Sequence, residues 1–320
     1  MGVSMKTLAE FKQLYNTQLL PELRKLEEMR KERVTKILIV CGPIAAIAII
    51  GSIAMIKYGE AAFWVLAIGA MICCGIGWFL TRDYVKAFKG QVIERIVHFI
   101  DPALKYSRES YIPHNEFKTS KLFLQHADKY KGDDRVTGRV GVTSLDFSEL
   151  HAQYVTRDSK GRRSYHTFFK GLFFVGDFNK HFKGQTFVLP DSAEKMFGGI
   201  GKWMQGKNMS RPALVKLEDP DFEKLFVVYG TDQIESRYVL STSMMRRMTE
   251  FKRKTGRKVW FSFINNKIYM AIYYRKNLFE PRIFKTLLDF KPIEEYFEDL
   301  SFAIGIVEDL NLNTRIWSKE

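Results

Sequence analysis

Residues 37–56 read ILIVCGPIAAIAIIGSIAMI, and residues 61–80 read AAFWVLAIGAMICCGIGWFL. Neither run holds a charge, and only Lys57-Tyr58-Gly59-Glu60 separates them. At a helical rise of about 1.5 Å per residue, twenty residues cover roughly the 30 Å hydrocarbon core of a bilayer. Four residues suffice only for a tight turn. The pair predicts a transmembrane hairpin over residues 37–80, with spans 37–56 and 61–80. A helical hairpin buried in a globular core is the competing reading, and two adjacent charge-free runs of spanning length argue against it. The first run follows 36 mostly polar residues and is followed at once by the second, which sets aside a cleaved signal peptide. Lys6 stands where a myristoylation signal wants Ser or Thr, so that modification is set aside too.

Working outward, the rest of the chain is of another composition. Of 320 residues, 44 lie in the hairpin and carry two charges, Lys57 and Glu60; the other 276 carry 84. A plain soluble enzyme, a disordered chain, a disulfide scaffold and a multi-span transporter core are all excluded by that split. Three segments result: an N-terminal helical segment 1–36, the hairpin 37–80, and a domain 81–320. Arg30, Lys31, Arg33 and Lys36 precede the first span, while Arg82, Lys86 and Lys89 follow the second. The connecting turn offers Lys57 alone, so the positive-inside rule places both termini in the cytoplasm. Gly69, Cys73 and Gly77 recur every four residues and predict a small-residue stripe against the first span. All three cysteines lie in the spans, which leaves the large domain without a disulfide or Cys-ligated zinc.

Hydrophobic periodicity predicts a helix over 6–36, interrupted at Pro21, and a helical face Phe88, Val92, Ile96, Phe99, Ala103 after the second span. Breaks are expected at Asp101-Pro102 and Ile112-Pro113. From Val136 the period becomes two, with a break at Ser144–Ser148, a turn at Arg157–Gly161, an aromatic strand Tyr165–Phe174 and another strand Thr186–Leu189. Past a loop or short helix at 190–212 come a strand Phe226–Tyr229, a helix Met244–Lys254, and a hairpin of Val259–Phe263 and Ile268–Tyr274 about Asn265-Asn266-Lys267. An amphipathic helix, 293–310, ends the series. Strands and helices come in blocks, so the class is α+β: an N-terminal helix, a transmembrane hairpin, and a cytoplasmic domain with an antiparallel sheet and flanking helices.

Several stretches together resemble one family. They are Ile100-Asp101-Pro102 with Tyr106, Ser120-Lys121-Leu122-Phe123, Phe168-Phe169-Lys170-Gly171-Leu172-Phe173-Phe174, 219–226, 232–240, and Leu312-Asn313-Thr314-Arg315-Ile316-Trp317. The chain resembles the domain-of-unknown-function family numbered 3137, bacterial membrane proteins with a two-span hairpin and a large C-terminal domain. The resemblance implies a bacterial inner-membrane protein and supplies no activity or catalytic residue.

The sequence carries none of the common catalytic or metal motifs. The six histidines (98, 114, 126, 151, 166, 181) are 12 to 25 residues apart, without the i, i+4 spacing of a zinc helix. Gly198-Gly199-Ile200-Gly201-Lys202 fails as a phosphate loop, because Met196 and Trp203 occupy the places of its first glycine and its hydroxyl; a basic loop bearing Trp203 and Met204 is expected instead. No nucleophile elbow occurs. Asp219, Asp221, Glu223, Asp232 and Glu235, with Arg237, form an acidic stretch that suits helix capping and an Arg–carboxylate pair; a hydrolase-like use of Asp219–Arg237 is the rival reading. No catalytic residue, metal or cofactor is assigned.

Charge carries the functional expectation. Residues 81–320 hold 41 basic and 30 acidic groups, and seven cations fall between positions 246 and 258: Arg246, Arg247, Lys252, Arg253, Lys254, Arg257 and Lys258. Met244, Met248 and Phe251 are spaced to face inward and turn these outward. With no recognition motif beside them, nucleic acid ranks behind anionic lipid or an acidic protein partner, since a tethered domain already lies near a negative leaflet. The sequence thus points to a membrane-anchored binding or scaffolding module rather than an enzyme.

Overall fold

The computed structural model describes residues 6–178, 182–191, 212–310 and 312. The chain divides into two compact units. One, the helical unit, takes Lys6–Ile96 and Phe279–Glu298; the other, the sheet unit, takes Val97–Leu278 and the residues from Asp299 on.

The helical unit begins with α1 (Leu8–Leu14), capped by Thr7 and Glu10 in a reciprocal capping box. A π turn, Tyr15–Leu19, leads into α2 (Leu20–Ala54). Pro21 stands in the first turn of α2, directly after the π turn, so the long helix 8–54 has its α pattern interrupted just before Pro21. A 3-10 turn, Ile56–Tyr58, and Gly59 at φ 52° reverse the chain into α3 (Glu60–Phe88). A second π turn, Lys89–Ile93, joins α3 to α4 (Glu94–Ile100), which ends just before Asp101-Pro102.

Two stretches in these helices are long and apolar enough to cross a membrane, and little of either is buried. Ile47, Ile50, Phe63, Met71 and Phe79 are each more than 60% exposed. Between the two helices the packing is close. Cys41 and Cys73 each direct Sγ at the other's carbonyl, at 3.8 and 3.7 Å, and Ser52 donates to the Ala62 carbonyl at 3.0 Å. A Cβ on Gly69 would lie 2.5 Å from Ala48 Cβ, so only glycine permits this approach. Gly77 has nothing within 4 Å of such a Cβ and stands outside the seam that Gly69 and Cys73 make.

The sheet unit is built on nine antiparallel strands in the order β1-β2-β3-β4-β9-β8-β5-β7-β6. They are β1 (Lys105–Ser107), β2 (Lys129–Val140), β3 (Thr143–Arg157), β4 (Arg163–Asp177), β5 (Gln185–Pro190), β6 (Ala213–Leu214), β7 (Phe226–Gly230), β8 (Val259–Ile264) and β9 (Lys267–Tyr273). The α+β class stands. β3 runs through Ser144–Ser148, where a break was expected, because two of the polar residues there have partners. Asp146 takes a two-pronged bond from Arg135 across the strand pair, and Ser148 Oγ accepts the Ile112 N–H. β2 likewise starts at Lys129, before the period-two pattern becomes visible. At Asn265-Asn266 the β8–β9 hairpin has a two-residue turn, with Asn265 at φ 58° as such turns require.

Both faces of the sheet are covered. On one, Phe169, Phe173, Val175, Trp260 and Tyr269 pack with Ile112, Phe117 and Leu122 from the α5 region (His114–Thr119). Three further helices are α6 (Pro220–Glu223), α7 (Gln233–Val239) and α8 (Thr242–Thr255), and α9 (Phe290–Asp309) closes the described chain. Phe251 of α8 sits 6.3 Å from Phe261 of β8 and stacks on Phe302 of α9 at 5.1 Å. The two strand blocks join along β4–β9, where Gly171 faces Tyr273. Gly171 lies at φ 148°, and a Cβ there would stand 2.0 Å from the Ile272 carbonyl oxygen.

Candidate functional site

The seven cations expected to form a basic face all lie on α8 or the turn after it. Met245, Met248, Thr249 and Phe251 are the buried side of the helix, so the inward stripe includes Met245, with Met244 only half-buried. Arg246, Arg253 and Lys254 are exposed, and Arg247, Lys252, Arg257 and Lys258 are half-buried. Most of them have partners. Arg253 pairs with Asp221 at 3.2 Å, and Lys254 pairs with Asp309 at 3.0 Å while lying 5.7 Å from the Phe302 ring. Arg247 donates to the Asp309 carbonyl at 3.3 Å. Lys252 donates to the Arg257 carbonyl, and burial, then the Lys258 charge, lower its pKa. Arg257 stacks on Tyr274 with its guanidinium 3.9 Å from the ring centre. The outer surface is therefore cationic at Arg246, Arg253 and Lys254, while Arg247, Lys252 and Arg257 are turned toward their own unit.

In the acidic stretch, each carboxylate serves backbone or a neighbouring cation. Asp219 caps α6 by accepting the Asp221 and Phe222 N–H groups, and Asp232 caps α7 by accepting those of Ile234 and Glu235. Glu235 receives the Lys183 and Gly184 amides, and Glu223 that of Leu217. Asp221 is held below the usual carboxylate range by Arg253 and then Lys224. The arginine that pairs with this stretch is Arg253; Arg237 is exposed and donates to the Lys216 carbonyl at 3.5 Å. No histidine joins these groups among the described residues. Among the described residues the arrangement is capping and ion-pair chemistry.

Sequence reasoning missed a different trio. Asp133, Asp134 and Glu149 bring carboxylate oxygens within 4.8 Å of one another, two of the three being buried. Tyr106 donates to Asp134, and Glu149 accepts the Leu278 N–H at 2.9 Å. Oxygen ligands of this kind suit a hard cation such as calcium or magnesium. Only Asp133-Asp134 is adjacent in sequence; Glu149 arrives through the β2–β3 pairing, where it faces Asp133. His114 and His126 also meet, their rings 6.0 Å apart, and burial followed by the His126 charge lowers the pKa of His114. Among the described residues no third ligand completes that pair. His181 and the segment Gly198–Lys202 with Trp203 and Met204 lie outside the described residues.

In the helical unit, polar side chains are gathered under the apolar helices. Glu27, 3% exposed, receives two bonds from Arg30, at 2.7 and 2.8 Å, and the Leu287 N–H at 3.0 Å. Arg30 also donates to the Ile283 carbonyl at 2.8 Å. The bond from Arg30, ahead of that from Leu287, draws the Glu27 pKa down to about 2 against the opposing effect of burial. Lys89, buried in the second π turn, pairs with Glu280 at 3.0 Å. Phe11 stacks on Phe297 at 4.2 Å, Phe88 meets Tyr296 edge-on at 5.5 Å, and Tyr15 donates to the Leu288 carbonyl. Residues 279–298 thus form a strap across the polar ends of both helices. A hollow of about 360 Å³ in the strap is lined by three cations and two carboxylates, with no histidine or cysteine.

Residues 167–312 match the model of a family described as protein of unknown function (DUF3137). The match covers 146 of the 320 residues. The matched region starts inside β4, takes in β5–β9, the basic helix α8 and the strap, and leaves out β1–β3 and both apolar helices. No curated protein matches the chain. Among solved structures, the crystal structure of the mycobacterial trehalose monomycolate transport factor A, TtfA, is similar over 72% of this chain and 98% of its own, with a TM-score of 0.33 and 9% identity.

Proposed function

We propose that this chain is a membrane-anchored binding module of the bacterial inner membrane, its hairpin crossing the bilayer and its sheet unit lying in the cytoplasm. The observation that carries the reading is the exposed apolar surface of α2 and α3, from Leu38 to Phe79, which water would penalise heavily. Exposed Lys31, Lys36, Arg82 and Lys86 below the spans, against Lys57 alone in the turn, support cytoplasmic termini. Expressed in a bacterium, the chain is expected to stay in the membrane pellet through alkaline carbonate washing and to leave it only in detergent; release by carbonate would overturn the anchor.

The ligand of the module is anionic, a lipid surface or an acidic protein face, met by Arg246, Arg253 and Lys254. The ion pairs of Arg253 and Lys254 are exposed, and such pairs are worth about 1 kcal/mol or less, so an incoming anion can replace them. Protein in neutral nanodiscs should capture phosphatidylglycerol vesicles at low salt and release them as salt rises, because exposed charges are screened over about 8 Å at physiological ionic strength. Substituting Arg246, Arg253 and Lys254 by Gln should abolish capture while leaving the unfolding temperature within a few degrees. Equal capture by the substituted protein would remove the basic face from the account.

A further inference from the structure

Each contact of the strap fixes its depth along the helices that enter the apolar hairpin. Ile283 is tied to Arg30, which stands seven residues before Ile37, the first residue of the charge-free run. Leu287 is tied to Glu27, ten residues before Ile37, and Glu280 to Lys89, nine residues after Leu80. At about 1.5 Å per residue these levels lie roughly 10, 15 and 14 Å from the apolar run. The strap therefore climbs toward the spans, turns, and descends. The turn is Arg282–Lys285, closed by the Lys285 N–H on the Arg282 carbonyl at 3.1 Å.

What stands at this apex is not what a surface loop in water would choose. Phe284 is 72% exposed, while its neighbours in the strap Phe279 and Leu287 are buried. Arg282 and Lys285 flank it, both exposed. The polar layer of a bilayer adds about 5–7 Å on each side of the hydrocarbon. A ring and two long cations at the apex can bridge the remaining distance, the cations stretching toward phosphates as such side chains do at interfaces. Arg282 also pairs with Glu295 at 2.8 Å, an exposed contact that a phosphate can replace.

We propose that the Arg282–Lys285 turn is a membrane-interface anchor, in which Phe284 enters the headgroup layer of the leaflet the hairpin crosses and Arg282 and Lys285 meet the phosphates of anionic lipid. The anchor rests on the hairpin spanning a bilayer. Exposed Lys31, Lys36, Arg82 and Lys86 lie on the same side of the spans and match the negative charge of that leaflet.

The test uses the full chain in bilayers containing phosphatidylglycerol, with Cys41, Cys73 and Cys74 replaced by Ala and a nitroxide attached to Phe284→Cys, Ile47→Cys or Arg162→Cys in turn. Expected are a several-fold preference for oxygen over a water-soluble paramagnet at 284 and at 47, and the reverse at 162. A water-like reading at 284 beside a lipid-like one at 47 would overturn the anchor and leave the spanning hairpin standing. Water-like readings at both would overturn both. Because the cysteines pack in the hairpin seam, a second measurement keeps them: Phe284→Trp in the otherwise native chain should add fluorescence that lipids brominated near the headgroup quench. Added fluorescence that those lipids leave unquenched would overturn the anchor equally.

Discussion

Glu27→Ala should free the strap from the helices beneath the hairpin, at a cost of about 3–5 kcal/mol. The substitution leaves the Arg30 guanidinium buried without its carboxylate and the Leu287 N–H without an acceptor, and breaking one side of a buried ion pair costs that much. Trypsin should then cut at Arg282 and Lys285 far faster than in the native chain, since cleavage there requires the strap to open. The pH dependence has a definite sign. Glu27 titrates near 2 in the folded unit against about 4.5 for an ordinary Glu, so its contribution is complete above the ordinary value and fades as pH falls from about 4.5 toward 2. Read with pepsin, which works across that window as trypsin does not, native protein should lose strap protection there, whereas Glu27→Ala should show a flat profile. Unchanged trypsin resistance in Glu27→Ala would remove the ion pair from its proposed place.

Gly171→Ala should unfold the joint between the two strand blocks. The new Cβ would meet the Ile272 carbonyl oxygen at 2.0 Å and the Tyr274 nitrogen at 2.7 Å, both backbone atoms of the paired strand, which cannot move without breaking the ladder. The residue also sits at φ 148°, a region closed to L side chains. A loss of about 3 kcal/mol or more is expected, read as a drop in the unfolding temperature of the sheet unit. Gly161→Ala is the control: φ is 77° there, but nothing lies within 4 Å and the site is an exposed hairpin turn, so about 1 kcal/mol is expected. Equal stability of the two variants would contradict the crowding at β4–β9.

The elements that were legible in the sequence are those whose signal is local. The charge-free runs, the breaks at Asp101-Pro102 and Ile112-Pro113, the Asn265-Asn266 turn and the α8 stripe each follow from neighbours in sequence. The strap was not legible, because Glu27 and Leu287 are joined across 260 positions and nothing near Arg282–Lys285 announces a partner. For the same reason Asp133, Asp134 and Glu149 emerge as a trio only once β2 and β3 are in register. Ser144–Ser148 reads as a break because its polar residues look solvated; the structure gives Asp146 and Ser148 the partners Arg135 and Ile112 instead. On α8 the charge pattern is plain, but sequence could not say that Asp221 and Asp309 would reach Arg253 and Lys254.

The central claim is that α2 and α3 cross a bilayer with the sheet unit in the cytoplasm. Its most direct test is side-specific labelling in intact cells, with the native cysteines replaced by Ala and one cysteine placed at Lys57 in the turn or at Arg162 in the β3–β4 hairpin. A membrane-impermeant maleimide admitted only to the periplasm should label position 57 and should reach position 162 only after the inner membrane is opened. Labelling of position 162 in intact inner membranes, or protection of position 57, would contradict the account.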